Sequence, residues 1–246
     1  MRNIKVKFVD KVETSVTEAL GFHTLIYFGQ MKHAEQTGGT PNARSMFGVG
    51  HPSNPSRMVS YAPRHIDIQR KVQDKSNVIL ELYLTEIIQH WFDFLGEIYR
   101  KALVENYFNN GNYSIPPSKV KLDLTLKDND LYNSIIESCV RDFDFLQAKE
   151  KLKQIKNTLG ADLSLLQSEE RVINENIQIR NILQHRLGKV TSKDLSDLGI
   201  SFLSEDHGDS ITKISANQRI TRTVYDLEKL VLSLKKIADK LVEHCT

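Results

Sequence analysis

The chain has 246 residues, of which 40% are hydrophobic and 26% charged, so it can bury a sizeable core and is not an intrinsically disordered chain. Its net charge of +2 gives no indication of a general electrostatic attraction to nucleic acid, although the first 77 residues are mildly basic, with 11 Lys and Arg against 6 Asp and Glu. The two cysteines, Cys139 and Cys245, are too far apart for a zinc motif, and no secretory leader or long apolar span is evident, so we expect a cytoplasmic protein without membrane association.

The first 65 residues are predicted to form an irregular N-terminal extension. Ile4, Val6 and Phe8 alternate, and an apolar run follows as far as Phe28. A short strand followed by a helix, and one amphipathic helix from about Val9, both fit this pattern. From residue 29 to residue 65, Gly, Pro, Ser and Asn are frequent and no period is sustained, which indicates an ordered functional loop or a mobile insertion. Its His and Arg side chains are candidates for phosphate contacts, and the alternative is a solvated loop without a specific role.

Residues 66–246 are predicted to form a separate helical domain. Apolar residues recur at three- and four-residue intervals between about Asp67 and Phe108, which predicts a central helix that ends at NNGNYSIPPS. The segment VKLDLTL, residues 120–126, alternates like a short strand. Two further helices are predicted, from about Asp128 to Gly160 and from about Leu163 to Leu187.

The C-terminal part is predicted to hold a β-hairpin and a final helix. The hairpin strands are ISFL (200–203) and SITKI (210–214). Ser215 and Gln218 have the spacing of a capping box, and apolar residues follow in heptads from Ile220 to Leu241. This helix either packs within a bundle or forms the seam of a dimer. The fold class is therefore mainly α: a helical bundle with a small β-hairpin insertion near residues 200–214.

The stretch IQIRNILQHRLGKV, residues 177–190, carries the candidate chemistry. Asn181 and His185 lie four residues apart and share a helix face, whereas Arg180 and His185 are separated by about 140° around the helix. Histidine transfers protons near neutral pH, and the forked guanidinium of arginine suits a phosphate group. Asparagine adds a neutral donor and acceptor that can hold a phosphate oxygen or fix the histidine tautomer.

The string RNILQHRLG resembles the signature of HEPN domains, in which an Arg, a polar residue and a His follow one another near the end of a helix. The resemblance in architecture extends over roughly residues 75–244. It implies an all-α bundle that pairs about a two-fold axis, so that Arg180, Asn181 and His185 of two chains meet in one cleft. It also implies a metal-independent endoribonuclease without a cofactor, which leaves 2′,3′-cyclic phosphate ends. The implied context is a toxin–antitoxin or phage-defence system, with RNA and an antitoxin or regulatory protein as partners.

The residues around the motif are assigned supporting roles. We predict that Gln184, Arg186 and Lys189 contact RNA, and that Glu175 or Gln184 orients Arg180. Two alternatives stay open. The chain is a non-catalytic HEPN-like module that binds RNA or a protein, or it is an unrelated helical protein in which RNILQH has no functional meaning.

Overall fold

The chain is mainly helical in the computed structural model, which describes residues 1–44, 47–51, 53–117 and 128–243. The elements in chain order are α1 (Arg2–Thr37), β1 (Phe47–His51), β2 (Asn54–Tyr61), α2 (His65–Phe108), α3 (Asp128–Asp144), α4 (Ala148–Leu159), α5 (Gln167–Arg186), α6 (Ser192–Leu198), β3 (Leu203–Asp206), β4 (Ile211–Ile214) and α7 (Val224–Glu243). Strand β1 pairs with β2, and β3 with β4, in two separate antiparallel hairpins. The predicted strand at residues 120–126 lies outside the described residues.

Helix α2 is the centre of the fold, as its apolar spacing predicts. Trp91, Leu95 and Ile98 are fully buried, and α1, α3, α4, α5 and α7 all contact this helix. An apolar surface around most of its circumference requires such neighbours, because each helix covers only one face. Within the described residues, none of the helices combines the length and apolar content that a membrane span requires.

Residues 2–37 form the single helix α1, so the irregular extension is wrong there, whereas the alternative of one helix is confirmed, with a start at Arg2 instead of near Val9. The apparent alternation was misleading because Phe8 is buried whereas Val6 is 52% exposed. Phe8 and Val12 follow helical spacing and pack into the core, where the Phe8 ring stacks on Phe94 at 4.4 Å between ring centres. Part of the segment predicted as a loop also has regular structure, as the hairpin of β1 and β2.

The single helix predicted between residues 128 and 160 is two helices, α3 and α4. The ammonium group of Lys151 donates a hydrogen bond of 2.8 Å to the carbonyl of Asp144, the last residue of α3. The Glu150 carboxylate accepts a hydrogen bond of 3.2 Å from the Gln147 backbone N–H, immediately before α4 begins. These side chains bind backbone groups that a continuous helix would have paired internally, so the break is stabilised.

The predicted hairpin exists, but its first strand is displaced to residues 203–206. The last helix begins at Val224, several residues after the capping box that Ser215 and Gln218 were predicted to form at its start. Ser215 does bond to the side chain of Gln218, at 2.6 Å, but this contact closes a turn. The helix starts later because residues 217–220 form backbone hydrogen bonds with Gly188 and Val190 and not with a helical turn of their own. Val190 accepts from the Asn217 N–H and donates to the Gln218 carbonyl, and Gly188 accepts from the Ile220 N–H. The apolar seam of α7 is buried within this chain, against α1 and α5.

Candidate functional site

Helix α5 places the motif at the end of a well-anchored element. Ile173 and Ile182 are buried against the core, and the helix begins with two acidic residues that complement its dipole. The helix stops where Leu187 and Gly188 take left-handed backbone angles, with φ of 51° and 84°. A Cβ atom at residue 188 would lie 2.7 Å from the carbonyl oxygen of Ile220, so only glycine fits there. The motif therefore occupies the last two turns before a fixed helix end.

Arg180 and Asn181 lie side by side at a polar cleft. A guanidinium nitrogen of Arg180 donates a hydrogen bond of 3.2 Å to the side-chain oxygen of Asn181. The cleft has a volume of about 540 Å³ and forms where α5 meets α2 and the junction of α3 and α4. It is lined by Gln89, Phe92, Asp93, Asp144, Leu146, Ala148, Lys151, Ile177, Arg180 and Asn181.

The cleft contains charges of both signs. Lys151 is 7% exposed, and its ammonium group lies over the Phe92 ring at 5.3 Å and 4.0 Å from a carboxylate oxygen of Asp144. Burial lowers the pKa of this lysine, and the nearby carboxylates of Asp144 and Asp93 oppose that effect. Asp93 accepts a hydrogen bond of 2.8 Å from the Gln89 amide. The cleft therefore offers both donors and acceptors to a ligand.

The Nε atom of Arg180 is buried and has no hydrogen-bond partner among the described residues. Buried polar atoms are nearly always satisfied, by protein or by solvent, so this N–H group is a hydrogen-bond donor without an acceptor in the described protein. In the described part of the chain, no three His, Cys, Asp or Glu side chains come together as ligands for a metal ion.

His185 lies one helical turn beyond Asn181 on the same side of α5, and it is exposed to solvent. It does not line the cleft that contains Arg180 and Asn181. The fold thus brings two of the three motif residues into contact and leaves His185 at the exposed end of the helix, where a second molecule can reach it.

The three residues predicted to contact RNA have different surroundings. The Gln184 amide is 3.5 Å from the Thr85 hydroxyl on α2, and Lys189 is exposed. The guanidinium of Arg186 pairs with the buried carboxylate of Asp194 and also bonds to the Thr191 hydroxyl at 3.1 Å. The charge of Arg186 is thus partly neutralised within the chain, whereas no ion pair is found for Lys189 among the described residues. Their contacts with RNA stay predictions.

A buried polar cluster behind α5 was not anticipated from the sequence. Arg222 is 2% exposed and lies 3.3 Å from a carboxylate oxygen of Asp226. Its guanidinium also donates to the Ser204 carbonyl at 3.1 Å and lies 3.5 Å from the side-chain oxygen of Asn176, one turn before Arg180. Burial lowers the pKa of Arg222, and it raises the pKa of the nearby Glu81 carboxyl. This cluster joins the β3–β4 hairpin and the start of α7 to the motif helix.

The residues that line the cleft from outside α5 were also not predicted from the sequence. Gln89, Asp144 and Lys151 belong to three different helices, and only packing brings them together. The one local signal is Lys151 itself, which stands next to Leu152 and one turn before Ile155 on the buried side of an amphipathic helix. No protein-family model, curated protein or solved structure matches this chain.

Proposed function

We propose that the chain is a metal-independent endoribonuclease of the HEPN type, in which Arg180 and Asn181 bind the scissile phosphate and His185 transfers protons. The observation that carries this proposal is the direct contact between Arg180 and Asn181 at a polar cleft, with His185 one turn away on the same helix. The unused Nε–H of Arg180 adds a donor suited to an anionic oxygen.

The proposed reaction uses the 2′-hydroxyl of the RNA as the nucleophile. His185 accepts the proton of this hydroxyl, and the oxygen forms a bond to phosphorus. The bond from phosphorus to the 5′-oxygen breaks, and that oxygen receives a proton from a histidine acting as acid. The products are a 2′,3′-cyclic phosphate and a 5′-hydroxyl. Arg180 and Asn181 stabilise the negative charge that accumulates on the phosphate oxygens in the transition state.

A homodimer makes this arrangement complete. Arg180 and His185 point about 140° apart on one helix, so the His185 of one copy works best with the Arg180 of a second copy. Exposure of His185 supports this, because a second molecule has access to it. We further propose that the enzyme acts in the cytoplasm in a toxin–antitoxin or phage-defence role, with an antitoxin or regulatory protein as partner, and that Gln184, Arg186 and Lys189 contact the RNA.

The test compares wild type with two histidine variants on end-labelled total RNA in the presence of EDTA. His185→Ala should reduce cleavage about 100-fold or more, because proton transfer by a positioned histidine contributes at least that much. His207→Ala is the matched control, since His207 is also exposed but lies in the turn between β3 and β4. Cyclic phosphate ends formed by wild type and by His207→Ala, but not by His185→Ala, support the proposal. Full activity of His185→Ala rules out this site.

A second candidate is a non-catalytic module that binds RNA or a protein. The observation that favours it is the presence of Asp93 and Asp144 in the cleft, because carboxylates repel a phosphate group. Binding of labelled RNA that stays intact, with equal affinity for wild type and His185→Ala, supports this module over the nuclease.

A further inference from the structure

Phe145 is an exposed aromatic residue that directly follows the last residue of α3. It is 84% exposed, more than any other phenylalanine, tyrosine or tryptophan in the described residues. This exposure is unusual, because a phenylalanine ring has a large apolar area that folding normally buries. The ring is therefore available for contact with another molecule.

Hydrogen bonds hold the backbone around Phe145 in a defined turn. The Phe145 N–H donates to the carbonyl of Arg141 at 3.2 Å, as in a continuing helix. The Lys151 ammonium donates to the carbonyl of Asp144 at 2.8 Å. Both bonds close the end of α3, so an ordered turn carries the exposed ring.

The residue with the exposed ring lies at the rim of the polar cleft. Asp144 and Leu146, on either side of Phe145, both line this cleft together with Arg180 and Asn181. Proteins that bind single-stranded RNA stack bases on exposed aromatic rings, because every base has a flat π face. The ring beside the proposed phosphate-binding residues is thus suited to hold the base of the same nucleotide.

The charges of the cleft fit a nucleotide better than a phosphate group alone. Arg180 and Lys151 attract a phosphate, whereas the carboxylates of Asp93 and Asp144 repel it. A base adds N–H donors to the ligand, and a carboxylate accepts a hydrogen bond from the amino group of cytosine. The Asp144 side chain is 59% exposed and lies 4.0 Å from the Lys151 ammonium, and no hydrogen bond to its carboxylate is found in the described part of the chain. Asp144 can therefore accept a hydrogen bond from a base.

We propose that the cleft holds one unpaired nucleotide of single-stranded RNA. Its base stacks on Phe145, the amino group of the base donates to Asp144, and its phosphate contacts Arg180 and Asn181. The cleft volume of about 540 Å³ lies within the range of roughly 300–1,000 Å³ that is typical of ligand sites. The inference rests on the proposed function, because it takes Arg180 and Asn181 as the phosphate site.

Two properties of the substrate follow from this arrangement. The bases of a duplex are already stacked and paired, so double-stranded RNA cannot place a base on Phe145. Uracil has a carbonyl where cytosine has its amino group, so the Asp144 carboxylate attracts cytosine and repels uracil at this position. The cleft should therefore select single strands over duplexes and cytidine over uridine.

The first test measures the affinity for a 2′-O-methyl oligocytidine of about 12 nucleotides by fluorescence anisotropy. The methyl group blocks the nucleophile of the proposed reaction, so the RNA stays intact. Phe145→Ala should weaken binding about 5- to 150-fold, as truncation of a stacking aromatic does. Phe145→Trp should retain binding, whereas Phe145→Leu should lose nearly as much as alanine, because leucine is apolar but has no π face.

The matched control for this test is Phe28→Ala. Phe28 is 56% exposed on α1, outside the cleft, so its variant should bind as wild type does. Circular dichroism of every variant checks that the helices are retained.

The second test compares ligands. Wild type should bind oligocytidine about 5-fold or more tightly than oligouridine, and Asp144→Asn should lose this preference, because an amide donates to the uracil carbonyl as well as it accepts from cytosine. A strand of alternating cytidine and adenosine should bind about 10-fold or more weakly once it is paired with its complement.

Unchanged binding by Phe145→Ala overturns the inference, and so does wild-type affinity in Phe145→Leu, which would make the ring an apolar contact for a protein. Equal affinity for free and paired strands, equal affinity for cytidine and uridine, or absence of RNA binding by wild type also overturns it. Cleavage of unmodified RNA separates this inference from the nuclease. The expected binding pattern without cleavage supports the nucleotide site and contradicts the proposed activity, whereas cleavage that Phe145→Ala leaves unchanged does the reverse.

Discussion

Arg186, the residue after His185, is paired with Asp194, a carboxylate that is itself buried in α6. Asp194 also accepts hydrogen bonds from the backbone N–H of Thr191 at 2.8 Å and from the Gln178 amide at 2.7 Å. The last turn of the motif helix is therefore tied to the short helix that follows it. Arg186, which we predict to contact RNA, therefore also has a structural role in this fold.

This pairing predicts a loss of stability in acid. Burial opposes ionisation of Asp194, but the hydrogen bonds from Thr191, Arg186 and Gln178 outweigh it and hold its pKa below the ordinary value of 3.8. The stabilisation is present above pH 3.8 and is lost as the pH falls through the lower pKa of the folded state. Asp194→Asn should lower the free energy of unfolding at neutral pH by about 1–3 kcal/mol and should show less of this acid dependence. Urea denaturation across this pH range tests it, and an unchanged acid profile would contradict it.

A second prediction concerns the buried guanidinium behind α5. Arg222→Met should lower the free energy of unfolding by about 3–5 kcal/mol, because it leaves the buried carboxylate of Asp226 without an opposite charge. Arg171→Met is the control: Arg171 pairs with Glu175 but is 67% exposed, so its loss should cost less than about 1 kcal/mol. Equal effects of the two substitutions in urea denaturation would show that the cluster does not stabilise the fold.

The contact between His33, near the end of α1, and His65, the first residue of α2, should be sensitive to pH. His33 is buried, and its burial, followed by the proximity of His65, lowers its pKa below 6.5. The unfolded chain then binds the proton more tightly than the folded one, so stability is complete above pH 6.5 and decreases as the pH falls. The protection factors of backbone amides near residues 33–44, which are exchange rates relative to the intrinsic rate at the same pH, should fall below pH 6.5, and His33→Leu should weaken this dependence. The protection factors near Ile98, in the core of α2, should not change in the same range.

The proposed phosphate contact predicts a specific salt dependence. Arg180→Ala should weaken RNA binding and reduce the slope of log affinity against log salt by roughly one, because one phosphate contact is lost. Arg171→Ala is the control on the same helix, since its guanidinium is engaged with Glu175 at 2.8 Å. An unchanged slope for Arg180→Ala would exclude a phosphate contact at this residue.

The sequence predicts the parts of this fold in which local pattern and packing agree. The spacing of apolar residues in α2 identifies the central helix, and Gly188 identifies the end of α5. The start of α7 was misplaced because backbone pairing between residues 188–190 and 217–220, which no local pattern reveals, delays the helix. The break between α3 and α4 was missed because the apolar spacing continues through it.

The candidate site was only partly predictable for the same reason. Asn181 and His185 share a helix face by spacing alone, and the contact between Arg180 and Asn181 follows from their adjacency. Lys151 and Asp144 reach the cleft only through the packing of other helices onto α5. In the sequence, Arg222 resembles an ordinary surface arginine because its neighbours are polar, yet the fold encloses it completely.

The fixed C-terminal end of α5 determines the direction in which the side chains of Arg180, Asn181 and His185 point around the helix axis. Gly188 is held by the hydrogen bond from the Ile220 N–H to its carbonyl, at 2.9 Å, and has no room for a side chain. One residue inserted between His185 and Gly188 would turn the histidine by about 100° relative to that stop. The spacing of three residues between His185 and Gly188 therefore sets the direction of the His185 side chain, so the proposed site depends on this spacing as well as on its side chains.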